Sequence, residues 1–161
     1  MIRPAEMQDL PAILSVYGAA RQFMQQNGNP TQWAGGYPPD SLLKEDILAG
    51  RLYVLEEAGG VHGAFALIFG NDPTYASVEN GAWLSDEPYA AIHRVAGDGA
   101  VKGVFSQCLA FCKSRCGHLR IDTHADNKVM RHLIEKSDFV CCGIIRVADG
   151  SPRVAYEFIS R

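Results

Sequence analysis

The sequence predicts a three-layer α/β (α+β) domain, a mixed sheet with helices on both faces. Residues 89–123 read as strand, glycine-bearing turn, helix and strand, a βαβ unit that sets two parallel strands side by side with the helix as a right-handed crossover. The strand-like segments on either side of that unit are joined by tight turns, so those neighbours are antiparallel. A chain of 161 residues with 47% hydrophobic content has enough apolar area for one core. No internal repeat, low-complexity run or Pro/Gly-rich linker divides it. The expectation is a single domain over residues 1–161.

Taken in order, Ile2-Arg3-Pro4 reads as an edge strand. Asp9 stands where a cap would open a helix with Leu10, Ile13, Leu14, Tyr17 and Met24 near one stripe, ended by Asn27-Gly28. Residues 29–39 form a loop carrying two large aromatics, Trp33 and Tyr37, and Asp40 then caps a shorter helix through Leu43 and Ile47 to Gly50. From Arg51 the period drops to two: 51–56 and 61–69 pair as a hairpin through Glu57-Ala58-Gly59-Gly60. Residues 75–84 are a weaker, polar-interrupted strand or a loop, and 89–96 a stronger strand. The next helix sets Val104, Phe105, Cys108, Leu109 and Cys112 on one side and stops at Gly117. Residues 119–123 form a strand, Asp126 caps a helix with Met130, Leu133 and Ile134 inward, and 139–147 with 153–159 close as a hairpin.

Composition narrows the function. Fifteen Lys+Arg against 18 Asp+Glu leave a net charge of −3, without the basic excess of a nucleic-acid binder, so no nucleic-acid partner is expected. No stretch approaches the ~18 apolar residues of a membrane span, and the opening Met1–Glu6 lacks the apolar core of a signal peptide. Five cysteines, an odd number, read as reduced thiols in a cytoplasmic protein. Cys108, Cys112 and Cys116 recur every four residues and so share a helical face. A metal site there would need a fourth ligand from elsewhere, and small buried hydrophobes explain the same spacing, so no metal is expected. A thiol-dependent hydrolase or redox protein built on these cysteines is the rival chemistry.

The turn Gly97-Asp98-Gly99-Ala100-Val101-Lys102-Gly103 brings backbone N–H groups and the positive end of a helix dipole to one place, which suits phosphate. Lys102 adds a charge and Gly103 allows close approach. The spacing matches neither the P-loop nor the Gly-x-Gly-x-x-Gly fingerprint. Glycines also occur in strand-to-helix turns for steric reasons alone, so the residues leave both readings open.

Several segments together carry a resemblance. Ala100-Val101-Lys102-Gly103-Val104-Phe105 keeps the central glycine of an Arg/Gln-x-x-Gly-x-Gly/Ala pattern. Leu119 through Asn127, then Met130, Leu133, Glu135-Lys136 and Phe139 ahead of Gly143, matches a strand, an Asn-started helix and a Glu-Lys-x-Gly-Phe ending, with Asp138 in place of the glycine. With Ile2-Arg3-Pro4-Ala5 and Asp9-Leu10 at the start, the chain resembles the GNAT superfamily of acyl-CoA N-acyltransferases over nearly its whole length.

That resemblance implies a mostly antiparallel sheet with a central parallel βαβ splay, acetyl-CoA as co-substrate without a metal, and a homodimer. The cofactor would lie where the strands around Val95 and Ile121 part. Backbone at Val95, Ala96 and Gly97 would meet the pantetheine arm, Val101, Lys102, Gly103, Val104 and Phe105 the pyrophosphate, and Asn127 with Met130 the arm from the other side.

An amine attacking a thioester needs a base. The tyrosine that many members use as an acid falls at Ile134. His93 lies where serotonin acetyltransferases carry a histidine and His124 ends the neighbouring strand; both suit base work, with Glu79 as a third candidate. Each also has a plain reading, a hydrogen-bonded histidine beside the sheet or a solvated carboxylate. Strand alternation places His93 and Val95 on one face and Arg94 and Ala96 on the other. Trp33 and Tyr37 form an acceptor-pocket wall or a lid on the core. The expected function is direct transfer of acetyl from acetyl-CoA to a primary amine of a small molecule or a protein. A non-catalytic CoA-binding or small-molecule-sensing module of the same fold is the alternative.

Overall fold

In a computed structural model describing residues 1–161, the chain runs β1 (Ile2–Pro4), α1 (Leu10–Gln26), α2 (Asp40–Leu48), β2 (Leu52–Glu57), β3 (Gly60–Phe69), β4 (Ala90–Gly97), α3 (Val104–Arg115), β5 (His118–Thr123), α4 (Lys128–Glu135), β6 (Val140–Arg146) and β7 (Pro152–Ile159). The strands make one sheet in the order β1-β2-β3-β4-β5-β7-β6. Every pair is antiparallel except β4 and β5, as the βαβ pattern requires. The β2–β3 turn has Ala58 and Gly59 both at positive φ, the backbone of a two-residue hairpin whose twist matches its strands.

The helices lie on both faces. Under α3 and α4, Phe65, Ile92, Cys108, Cys112, Ile121 and Ile134 share one apolar cluster. On the other face α1 and α2 cover β2 to β4 through Ile13, Tyr17, Leu43, Leu52 and Ala66. Past β4 that face is covered by the 73–85 loop, where Tyr75, Tyr89 and Ile145 pack together.

The structure settles one open alternative of the sequence reading and departs from it in three details. Residues 75–84 form no strand beyond a single bridge between Glu79 and Ile144, because the segment packs flat on β6: a Cβ on Gly81 would fall 1.9 Å from the Cys142 carbonyl oxygen. Helix α4 is capped by Asn127, whose Oδ1 accepts from the Met130 amide at 3.1 Å, and Asp126 stays outside it. Asp9 precedes α1, but its carboxylate is taken by the Arg3 guanidinium (2.8 and 2.9 Å) and the Glu6 amide. Cys116 leaves the helical face of Cys108 and Cys112, since its backbone is already extended and its Sγ donates to the His118 carbonyl.

A fourth departure shapes the site. Against β3, Ala96 pairs with Ala64 but His93 pairs with Ala66, so Arg94 and Val95 oppose Phe65 alone. This is a β-bulge, with Arg94 at φ +55. It breaks the expected alternation. Ala90, Ile92 and Val95 face α3, while Ala91, Ala96 and Arg94 face the other way, so His93 and Val95 are on opposite faces. Beyond Ile92–Ile121 the ladder between β4 and β5 ends although both strands continue.

Candidate active site

The parting of β4 from β5 opens a cavity of about 590 Å³. Its floor is the ends of the two parallel strands, from Ile92 to Val95 and from Ile121 to Thr123, and the 31–37 loop and α2 close one side. The β6–β7 turn, with Asp149 and Arg153 beside it, forms another side. The loop is fastened by Gln32, whose Oε1 accepts from Asn29 (2.8 Å), Asn127 (3.1 Å) and Thr123 (3.4 Å). Trp33 packs edge-on against Tyr17 at 5.6 Å and, with Tyr37, lines the cavity. Both aromatics therefore serve as wall, and Trp33 also as lid on the core.

His93 stands in the wall with its Nε2 at 2.7 Å from Asp72 Oδ2. Burial pushes the Asp72 carboxyl up, but hydrogen bonds from His93 and from the Thr74 hydroxyl and amide outweigh that and hold it at about 2. An ionised Asp72 fixes the proton of a neutral His93 on Nε2, which leaves the Nδ1 lone pair, met by no protein group, as the basic atom. Next to it on β5, Asp122 accepts from the buried Tyr75 hydroxyl at 2.6 Å. Desolvation pushes the Asp122 carboxyl above its ordinary value, and burial beside Asp122 pushes the Tyr75 hydroxyl well up. On the α2 side, buried Asp46 is shared by Arg51 (2.6 Å) and Arg94 (2.5 Å).

Of the residues read from the sequence, the cavity gathers His93, Val95, Asn127, Met130, Trp33 and Tyr37. Asn127 has one lone pair of its amide oxygen on the helix cap and one N–H on Gln32, which leaves a second N–H free. His124 lies just outside the lining. Its Nδ1 accepts from the Asp126 amide and its Nε2 meets Thr31 at 3.3 Å, which makes it a fastener of the loop. Glu79 is at the surface, half exposed and paired with Arg146 at 3.0 Å, away from the cavity. Asp72, Asp122, Arg94 and Gln32 also line the cavity, and no local sequence pattern marks them for it. Asp72-Pro73 signals only a turn, and nothing local says that a residue 21 positions earlier will meet His93.

The glycine turn departs from the cavity along α3. Gly103 opens that helix in the left-handed region at φ +72, and the amides of Gly103, Val104 and Phe105 have no acceptor in the protein. The Val104 and Phe105 side chains, with Val101, turn into the core under α3, so only backbone faces outward. Close packing there depends on Gly63, where a Cβ would come within 2.7 Å of Val104. Ala96 and Gly97 are the β4 residues leading into the turn, and Lys102 is exposed at its tip. Asp98 takes the Ala100 amide and pairs with His62 at 2.8 Å. These residues fit a CoA pyrophosphate: free amides, a helix N-terminus and a lysine converge, and Phe105 does not crowd them.

Burial raises the thiols of Cys108 and Cys112 to about 12 and that of Cys142 to about 11, the opposite of an activated nucleophile. No three His, Cys, Asp or Glu side chains are grouped to hold a metal ion, and no helix is long and apolar enough to cross a membrane.

No protein-family model and no curated protein matches the sequence. Solved structures do. A GNAT-family acetyltransferase from Streptococcus agalactiae superposes with a TM-score of 0.91 at 28% identity, covering 100% of this chain and 95% of the other. One from Listeria monocytogenes gives 0.73 at 19% identity over 99% and 94%. GphF, a GNAT-like decarboxylase in complex with isobutyryl-CoA, gives 0.67 at 15% identity over 100% of both.

Proposed function

From the premise that this chain has the fold of solved GNAT-family acetyltransferases, we propose that it moves an acetyl group directly from acetyl-CoA to a primary amine of a small molecule or a protein. The observation that carries this reading is the early end of the β4–β5 ladder at Ile92–Ile121, with a histidine of a His–Asp pair standing in the gap. The unpaired backbone of β4 around Val95 would take the pantetheine arm, and the amides at the start of α3 with Lys102 the pyrophosphate. In the gap, His93 Nδ1 takes a proton from the attacking amine as nitrogen bonds to the thioester carbon, and the C–S bond breaks to release CoA. Asp72 holds the ring in the tautomer that leaves Nδ1 free. Ile134, where a tyrosine acid would stand, is fully buried, so the thiolate takes its proton from solvent. The five free thiols fit the reducing cytoplasm.

The test is release of CoA thiol from acetyl-CoA across a panel of primary amines, with the acetylated product identified by mass. Amine-dependent release is expected. Stabilisation by CoA with no release under any amine would leave the non-catalytic binding module, and the absence of both would defeat the reading.

A further inference from the structure

The bulge in β4 takes an arginine out of the core and sets it on the cavity wall. With regular alternation Arg94 would follow Ala90 and Ile92 into the apolar face under α3. The extra residue and the left-handed backbone at φ +55 send it to the opposite face instead. Such a backbone at a long-chain residue is a strained conformation, held by its surroundings: the Tyr17 hydroxyl donates to the Arg94 carbonyl at 2.7 Å.

There the Arg94 Nη2 meets Asp46, whose other oxygen is held by Arg51. Two guanidiniums share one carboxylate, which leaves a positive charge in excess at this wall. Glu45, the other acid near Arg51 at 3.3 Å, is mostly in solvent and does little to cancel it. The Arg94 side chain is only 10% exposed. Its Nε is sealed without an acceptor, and its Nη1 meets none in the protein although the side chain lines the cavity. Buried donors are almost always satisfied, and the free Nη1 of a guanidinium offers a carboxylate a charge-assisted hydrogen bond. Farther along the same cavity Asp122 has one oxygen on Tyr75 and the other unmet, with His93 and Arg153 in the same lining.

We propose that the acceptor is an amino acid or a similar carboxylate-bearing amine, with its carboxylate on the Arg94 guanidinium and its amine turned toward Asp122 and His93. This rests on the reading of the cavity as an amine-acceptor site. Polyamines and simple alkylamines lack the anion that Arg94 would hold.

Calorimetric titration with free L-amino acids, and for each its amide and the amine lacking the carboxylate, tests this in the presence of CoA. The acid form of the preferred side chain is expected to bind roughly 10- to 100-fold more tightly than its amide. Arg94→Gln should erase that preference and Arg94→Lys should keep part of it. Because either change disturbs buried Asp46, the comparison of acid with amide on the unaltered protein stands by itself. Equal binding of acid and amide, or no binding by any amino acid at millimolar concentration, would overturn the proposal. Thiol release measured in parallel separates the two readings. Acid-selective binding without release upholds the Arg94 site and defeats acyl transfer, whereas release with carboxylate-free amines at equal kcat/KM upholds acyl transfer and overturns the Arg94 site.

Discussion

Along β5, His118, Arg120 and Asp122 alternate onto one face, yet the first two and the third are built in different ways. Buried Glu157 on β7 accepts from His118 (2.5 Å), Arg120 (2.8 Å) and the Leu84 amide (2.5 Å). His118 Nδ1 meets the Pro88 carbonyl, Arg120 donates to the Ser85 carbonyl, and its guanidinium lies 4.0 Å from both the Trp83 and Tyr89 rings. Nearly every donor and lone pair is used, and the product is a pinned 83–89 loop. Two residues on, Asp122 has an unmet oxygen, His93 an unmet Nδ1 and Arg94 an unmet Nη1, on side chains that line the cavity. Closed valences hold a fold together. Open ones in a partly buried place cost stability, and a ligand is what can use them.

The largest effect should come from breaking the closed cluster. Glu157→Ala leaves Arg120 and His118 buried without their anion and should cost about 3–5 kcal/mol, read as a fall in the urea midpoint. The open cluster should respond the other way. His93→Ala is expected to lower kcat by roughly 10²–10⁴-fold with KM for acetyl-CoA little changed, and to lower the melting temperature by less than Glu157→Ala, because Asp72 loses one donor but keeps the Thr74 hydroxyl and amide. His124→Ala, which only loosens the loop at Thr31, should raise the KM of the acceptor with a smaller effect on kcat. If Glu157→Ala left stability intact while abolishing turnover, the division between the clusters would be wrong.

What the sequence disclosed follows the same division. The βαβ unit, the Ala58-Gly59 hairpin and the apolar stripe of α1 were legible because each rests on periodicity or turn chemistry within a few residues. His93, Trp33 and Tyr37 reached the site from the strand and loop that carry them. The bulge at Arg94 was not legible, since it arises from a register shift against β3, and it inverted the face of every β4 residue after it. Glu79 was drawn in by chemistry alone, and the β6 contact takes it elsewhere. Asp72, Asp122 and Gln32 act through partners far away in sequence, which no local pattern records.

A third set of open valences, the amides of Gly103 to Phe105, sharpens the comparison with a smaller effect. Any side chain at Gly103 is strained at φ +72, so Gly103→Asn and Gly103→Asp should each cost about 1 kcal/mol of stability. Only Asp adds an anion to the place meant for one. CoA at 100 times its Kd would add about 2.7 kcal/mol to the unaltered protein, and Asn should keep most of that shift while Asp loses it, with Kd weakened by at least about tenfold. Equal losses in both variants would mean that the amides do not bind the phosphates.

The smallest effect should come from the two carboxylates beside His93, which pull stability in opposite directions with pH. Asp72 is held at about 2, below the ~3.9 of an unfolded chain. It binds its proton less readily when folded, so its contribution is complete above about pH 4 and fades as pH falls toward 2. Asp122 is raised by desolvation, binds its proton more readily when folded, and so costs stability progressively as pH rises above ~3.9. Asp122→Asn keeps an oxygen for the Tyr75 hydroxyl and removes the charge. It should therefore raise the melting temperature by a few degrees at neutral pH, with the gain shrinking toward zero as pH falls to 4, while amine turnover declines. A variant no more stable than the parent at pH 7 would show that Asp122 is already satisfied when ionised, and would move it from the open cluster to the closed one.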